Sequence, residues 1–266
     1  GHGVEMLGAG RHGQAFFDDI RRALAGAGHW QGEIWNRRKS GDAYVQWMSI
    51  TRASLPGEAS AYVATLTDIT QRKEVEQRMH FRANHDALTM LPNRALFADR
   101  LEGAIAAWHR HQRPFAVLFI DLDQFKAVND RFGHAGGDRV IERFAQCLQA
   151  AAEGQHLAGR IGGEEFALLL ENADATTARL FAEGVRIAFS NVAVPGIPQS
   201  TRLAASFGVA EAAPGELGDS LFRRADKALY EAKNMGRDCV RVAPARLIPA
   251  PQEVTPEPAG GLTAAI

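Results

Sequence analysis

Four short stretches of the chain carry residue types suited to phosphate chemistry. Phe119-Ile120-Asp121-Leu122-Asp123 closes an apolar run with two carboxylates. Ligand sites in α/β folds gather at the carboxyl ends of strands, and a carboxylate there suits Mg²⁺, which pairs one or two carboxylates with substrate phosphates. Taken alone, Asp121 reads first as turn chemistry, because Asp is common where a strand ends. Gly162-Gly163-Glu164-Glu165-Phe166 puts two glycines between apolar segments, as a tight hairpin requires. Alternation along a strand sends Glu164 and Glu165 to opposite faces, so only one of them can share a site with Asp121. A solvated hairpin tip is the plain alternative; combined with Asp121, the pair points to a carboxylate metal site.

Phe125-Lys126-Ala127-Val128-Asn129-Asp130 is followed by Phe132-Gly133-His134-Ala135-Gly136-Gly137-Asp138. Lys126 lies close in sequence to the candidate metal ligands and can neutralise phosphate charge. Asn129 and Asp138 offer hydrogen-bonding edges that suit a nucleobase. Asp138 reads equally as a helix N-cap, and Gly133, Gly136 and Gly137 as turn glycines. Lys233-Asn234-Met235-Gly236-Arg237 is either a two-cation clamp for a triphosphate or a helix end. In the second reading, which is the stronger one in isolation, the cations favour the dipole and Gly236 fills the C′ position.

Residues 85–243, which contain these stretches, alternate helical and strand patterns. Helices are predicted over 94–111, 137–152, 175–190 and 220–234. Strands are predicted over 115–122, 156–161, 166–170, 201–210 and 239–242. The run Phe115 to Leu122 is apolar enough to be buried on both faces. The fold class is therefore α/β (α+β), a mixed central sheet of about five strands flanked by helices, with the Gly162-Gly163 hairpin making it mixed. Residues 1–70 predict a partial antiparallel sheet: a helix over 16–25, then strands over 30–37, 44–52 and 61–66. Turns are expected at Lys39-Ser40-Gly41-Asp42 and Pro56-Gly57, and Val45, Trp47 and Ser49 share one face of the second strand. Such a thin domain buries little core. Residues 71–84 predict a polar linker helix with a narrow seam of Val75 and Met79, either solvated or paired with a partner helix. Residues 244–266 hold five of the 11 prolines and no aromatic residue, and are expected to be disordered.

Composition narrows the function classes. Thirty basic and 31 acidic residues give a net charge of −1, so no global positive charge drives binding to nucleic acid or anionic lipid. No apolar run approaches the 20 or so residues that cross a bilayer, and no signal peptide is visible. Cys147 and Cys239 form neither a disulfide framework nor a zinc spacing, so a reducing cytoplasm is expected.

The motifs in this order and spacing give residues 85–243 a resemblance to diguanylate cyclases of the GGDEF family. The residues that carry it are Gly162-Gly163-Glu164-Glu165-Phe166, the block from Asp121 to Asp138, and Asp86-Ala87-Leu88-Thr89-Met90-Leu91-Pro92-Asn93-Arg94. Residues 1–70 resemble the C-terminal part of a PAS sensor domain, through the stretch Gly28 to Gly41 and the closing Thr67-Asp68-Ile69-Thr70. The chain is thus expected to be a piece of a longer sensor, with Gly1-His2 a cloning remnant and the ligand of the PAS part and any membrane anchor left open.

The resemblance implies a fold similar to the nucleotidyl cyclase and polymerase palm. It implies a reaction in which two GTP give cyclic di-GMP and two pyrophosphates, at a site formed by two facing subunits, with two Mg²⁺ ions per active site. It implies that Asp121, Glu164 and the Leu122 carbonyl bind metal, with Glu165 a second acid. Glu164 also helps deprotonate the 3′-hydroxyl, and Lys126 stabilises phosphate charge. Asn129 and Asp138 read guanine, with His134 and Phe125 beside them, and Lys233 and Arg237 hold the β- and γ-phosphates. The alternative is a catalytically silent GTP- or cyclic di-GMP-binding regulator, or a dimerising fragment that relays a signal through 70–84. Two departures stand out. Ala87 and Met90 replace the family's usual proline and glycine, with little effect expected. The inhibitory product site, Arg-x-x-Asp, is replaced by Glu153-Gly154-Gln155-His156, so loss of that site is expected.

Overall fold

The structure is a computed structural model that describes residues 10–53, 61–111, 113–152, 154 and 156–246. The expected turn at Pro56-Gly57, the tail beyond residue 246, Gly1-His2 and Glu153 lie outside the described residues. The chain divides between Ala83 and Asn84 into two compact units.

In the first unit, helix α1 (Gln14–Gly26) precedes an antiparallel meander of β1 (His29–Arg37), β2 (Ala43–Ala53) and β3 (Ala61–Asp68). The helix buries Phe17 and Ile20 against Ile34, Met48 and Ile50, a core of five side chains. The buried face of β2 carries Gln46, Met48 and Ile50, opposite to Trp47 and Ser49; Trp47 is 38% exposed. Every residue of β3 is exposed, so this unit is as thin as its length suggests. The predicted turn closes through Gly41, whose φ is +97° and whose N–H donates to the Arg38 carbonyl. Asp68 then ends β3 and starts α2 (Thr70–Asn84): its carboxylate accepts from the N–H and hydroxyl of Thr70 at 2.9 and 2.6 Å and pairs with Arg38. Helix α2 buries nothing, and Val75, Met79 and Phe81 are exposed.

The second unit contains α3 (Arg94–His111), β4 (Phe115–Leu122), α4 (Phe125–Phe132), α5 (His134–Ala152), β5 (His156–Arg160), β6 (Glu165–Glu171), α6 (Ala175–Ser190), β7 (Ala205–Glu211), α7 (Gly218–Asn234) and β8 (Val240–Val242). The strands form one sheet in the order β5-β6-β4-β7-β8, antiparallel except for the β7–β8 pair, which makes it mixed as expected. Strand β4 is central and wholly buried. Ala116, Leu118, Ile120 and Leu122 face a core with Val140, Phe144, Leu148 and Phe189 of α5 and α6. Phe115, Val117 and Phe119 face a second core with Phe97, Leu101, Leu221 and Leu229 of α3 and α7. A continuous apolar run is what two buried faces require. Gly208 on β7 lets α7 approach closely, since a Cβ there would collide with the backbone of Ala225 and Leu229.

Three sequence expectations are corrected. Helix α4 has no counterpart among the predicted helices, although Phe125, Val128 and Phe132 already have helical spacing; Phe125 and Val128 are buried. Helix α5 begins at His134, so Asp138 stands inside it and is no N-cap. Gly136 and Gly137 are buried helix residues, and only Gly133, with φ +72°, serves the turn.

Candidate active site

The end of β4, the β5–β6 hairpin, the α4–α5 pair and the C-terminus of α7 supply the predicted site residues. Asp121 is the last polar residue of the buried strand and is only 7% exposed. Its Oδ2 lies 2.8 Å from Nζ of Lys233, on the last turn of α7. Burial pushes the Asp121 carboxyl above its ordinary range, and the Lys233 ammonium opposes that shift. Glu164 is also raised, by burial first and then by the negative charge of Asp121, with Lys233 again opposing. The two carboxylates therefore share one electrostatic neighbourhood around a single ammonium.

Register decides how the two glutamates differ. Asp121 pairs across the ladder with Glu165, while Glu164 lies one residue before β6, where its carbonyl accepts from Leu122 N–H at 3.2 Å. Direct pairing puts Glu165 on the face of Asp121, but its carboxylate folds back over Gly162, where a Cβ would meet its Oε2 at 2.5 Å. Arg160 holds this turn. Its guanidinium donates to the carbonyls of Gly162 (3.1 Å) and Gly163 (2.7 and 3.2 Å) and pairs with Asp86 at 2.9 Å. Asp86 also accepts from the N–H and hydroxyl of Thr89, both at 2.8 Å. Burial raises the Asp86 carboxyl, yet these bonds prevail and leave it below its ordinary range.

The α4–α5 pair brings Asn129 to Asp138. The side-chain oxygen of Asn129 occupies the space where a Cβ of Gly137 would stand, so its amide packs against the residue preceding Asp138. The ring of Phe125 closes the same space from within the core; Phe125 is buried beneath Asn129 rather than open to solvent. Asp138 and His134 are exposed one helical turn apart, on one face of α5. Lys126 is exposed on the first turn of α4.

Sequence reasoning missed what holds the end of α7. Gly236, Arg237 and Asp238 have φ of +111°, +65° and +47° in succession. Gly236 is the C′ residue that was expected, and the Arg237 N–H donates to the Ala232 carbonyl at 3.1 Å. Asp123, the second carboxylate of the β4 terminus, accepts from the Asp238 N–H at 2.9 Å and the Ser206 hydroxyl at 2.7 Å. The paired acids Asp121 and Asp123 thus receive Lys233 and Asp238, the two ends of the segment that carries Arg237.

Asp121 and Glu164 present hard oxygen ligands that are costly to keep ionised without a cation, and Lys233 already stands in as one. Among the described residues no group of three or more His, Cys, Asp or Glu side chains gathers as a metal cage. An ion held here would complete its shell with carbonyl and phosphate oxygens, which is the habit of Mg²⁺. Of the residues expected to replace the inhibitory product site, Glu153 and Gln155 lie outside the described residues. His156 is half-buried, its ring edge-on to Phe181 at 5.3 Å.

A family profile described as "Diguanylate cyclase, GGDEF domain" matches residues 83–239. Diguanylate cyclase DgcM of Escherichia coli (strain K12) is 40% identical over 176 residues, which cover 66% of this chain and 42% of that protein. A diguanylate cyclase of Vibrio cholerae serotype O1 is 38% identical over 185 residues, 68% of this chain and 56% of that protein. The chain thus spans about half the length of these curated relatives. Among solved structures, the coiled coil and GGDEF domain of DgcB from Caulobacter crescentus, in complex with c-di-GMP, aligns with TM-score 0.63 and 32% identity over 66% of this chain and 93% of that one. The active GGEEF domain of a diguanylate cyclase from Vibrio cholerae aligns with TM-score 0.55 and 34% identity over 58% of this chain and 98% of that one.

Proposed function

The chain belongs to the GGDEF-domain family of diguanylate cyclases, and on that premise we propose that its second unit condenses two GTP into cyclic di-GMP with release of two pyrophosphates. The observation that carries this reading is the meeting of Asp121, Glu164 and Lys233 at the end of the central strand. Asp121, Glu164 and the Leu122 carbonyl would hold Mg²⁺, expected as two ions per site. When bound, Mg²⁺ supplies neutralisation of phosphate charge and a more acidic attacking hydroxyl.

The residues of the chain do the rest. The Asp138 carboxylate accepts from both the ring N–H and the amino group of guanine, with Asn129 beside it. Lys233 exchanges its bond to Asp121 for a phosphate oxygen, and Arg237 takes the far end of the triphosphate. The 3′-hydroxyl of one GTP attacks the α-phosphorus of the GTP in a facing subunit. The new O3′–P bond forms as the bond to pyrophosphate breaks, and the hydroxyl proton passes to a carboxylate oxygen of Glu164. Lys126 offsets the charge on the phosphoryl oxygens. A second, symmetrical attack closes the ring.

Facing subunits make the active species a homodimer, with α2 as the segment through which a partner copy and the first unit act on it. We take the first unit as the C-terminal part of a PAS sensor domain. Dependence on GTP assigns the second unit to the cytoplasm; among the described residues no helix is long and apolar enough to cross a membrane.

The test is turnover of GTP in Mg²⁺, followed by chromatography of cyclic di-GMP and assay of pyrophosphate. The intact chain is expected to form both, and Asp121→Asn and Glu164→Gln each to abolish product while keeping the melting transition. Tight GTP or cyclic di-GMP binding with no turnover by the intact chain would instead establish the silent regulator.

A further inference from the structure

The loop after α7 carries two successive non-glycine residues in the left-handed region, Arg237 and Asp238. A lone residue there is uncommon, and two in a row persist only where the surroundings over-determine them. Here they do, and the bonds converge on Asp238. Its carboxylate bridges Arg186 of α6 at 2.7 Å and Arg202, in the loop before β7, at 2.5 Å. Its N–H donates to Asp123 at 2.9 Å. Arg186 is itself held by Glu183 at 2.8 Å. Arg202 is 80% exposed and contributes little, whereas Arg186 and Asp238 are both largely shielded. The next residue, Cys239, gives its carbonyl to Phe207 N–H at 3.0 Å, which ties the loop to β7. No step of the reaction as written uses any of these bonds, yet they hold the two residues that directly follow Arg237, an exposed cation just past the helix end.

We infer that Asp238 is a positioning residue: anchored by Asp123 and Arg186, it fixes Arg237 in its left-handed backbone and thereby sets the preference of the site for a nucleoside triphosphate over a monophosphate. The inference rests on the proposed role of Arg237 as a phosphate clamp. An alanine at 238 would lose all side-chain anchors and favour negative φ, so Arg237 would turn away from the triphosphate. An asparagine adopts positive φ readily and keeps an acceptor for Arg186.

The experiment compares binding of 3′-deoxyguanosine triphosphate, which lacks the attacking hydroxyl, with binding of GMP, in Mg²⁺, by calorimetry on the intact chain. Asp238→Ala is expected to lower the triphosphate-to-monophosphate affinity ratio about tenfold while GMP affinity holds, and Asp238→Asn to restore most of it. In an Arg237→Ala background, Asp238→Ala should lower the ratio no further, because both act through one contact. A ratio unchanged in Asp238→Ala, or a loss that adds in full to that of Arg237→Ala, overturns the inference and leaves the network merely structural. If Asp238→Ala has no melting transition, Arg186→Gln is read through the same ratio and the same cycle. An intact chain that turns over no GTP yet prefers the triphosphate loses the cyclase reading and keeps this one. An intact chain with no preference loses this one.

Discussion

Asp138 shows how little of a residue's role its type conveys. In the sequence it fits a helix cap as well as a base reader; in the structure it lies inside α5, exposed, next to the glycine on which Asn129 rests. A carboxylate so placed complements two adjacent donors on guanine, and adenine offers no such pair. Asp138→Ser is therefore expected to lower the preference for GTP over ATP by roughly a hundredfold, because an unpaired polar group in a binding site is costly. Competition assays with both nucleotides check this, and unchanged discrimination removes Asp138 from the base site. Glu164 and Glu165 make the complementary point. They are adjacent and identical, yet Glu164 stands in the turn, where burial and then the charge of Asp121 raise its carboxyl, while the Glu165 carboxylate folds back over Gly162.

At the scale of elements, the α4–α5 crossing and the start of α2 each depend on one small contact. Gly137 is a helix residue whose missing Cβ makes room for the Asn129 amide and the Phe125 ring. Gly137→Ala should displace Asn129 and raise the KM for GTP roughly tenfold or more, with kcat less affected. Saturation kinetics separate the two, and an unchanged KM would mean that Asn129 does not bind substrate. Asp68 secures the entry to α2, and hydrogen bonds from Thr70, then from Arg38, pull its carboxyl from the ordinary 3.8 down to about 2. A depressed folded-state pKa gives stability that is complete above about pH 4 and lost as pH falls towards 2. The helical signal of α2, followed by NMR of its amides, should thus fade in that window. Asp68→Asn should weaken it at neutral pH and flatten its dependence there; an unaltered acid profile in that variant would assign the transition to other carboxylates.

At the scale of the whole molecule, the proposed chemistry requires two GTP-loaded subunits to face each other. The exposed seam of α2 is short, and a helix of this length is marginal without tertiary support. Association should therefore be weak, and specific activity should rise with enzyme concentration. Initial rates over a dilution series check this, with strict proportionality the contrary result. The resemblance places Glu153 and His156 where an inhibitory product site would have arginine and aspartate, so added cyclic di-GMP is expected not to inhibit non-competitively; potent inhibition of that kind would reveal a product site built from other residues.

The sequence determined the central strand and the signature hairpin, because each lies in a short local pattern, whereas Asp121, Glu164, Asn129, Asp138, Lys233 and Arg237 were singled out by the resemblance, since each taken alone also fits a turn, a hairpin tip or a helix end. Apolar runs report burial and carboxylates at strand ends report where ligands meet a sheet; the pair Gly162-Gly163 reports a turn, whereas the equally paired Gly136-Gly137 stand inside α5. It left α4 unread, although Phe125, Val128 and Phe132 carried the period, because an eight-residue helix is short beside the loop residues that surround it. Only the tertiary structure decided that the Glu165 carboxylate folds back over Gly162, that Arg160 braces the hairpin against Asp86, and that Asp123 and Arg186 hold the strained loop behind Arg237. Those contacts join residues 74, 115 and 52 positions apart. No local period encodes such pairings; they arise when strand order and helix packing bring distant charges into a partly buried space where each needs a partner.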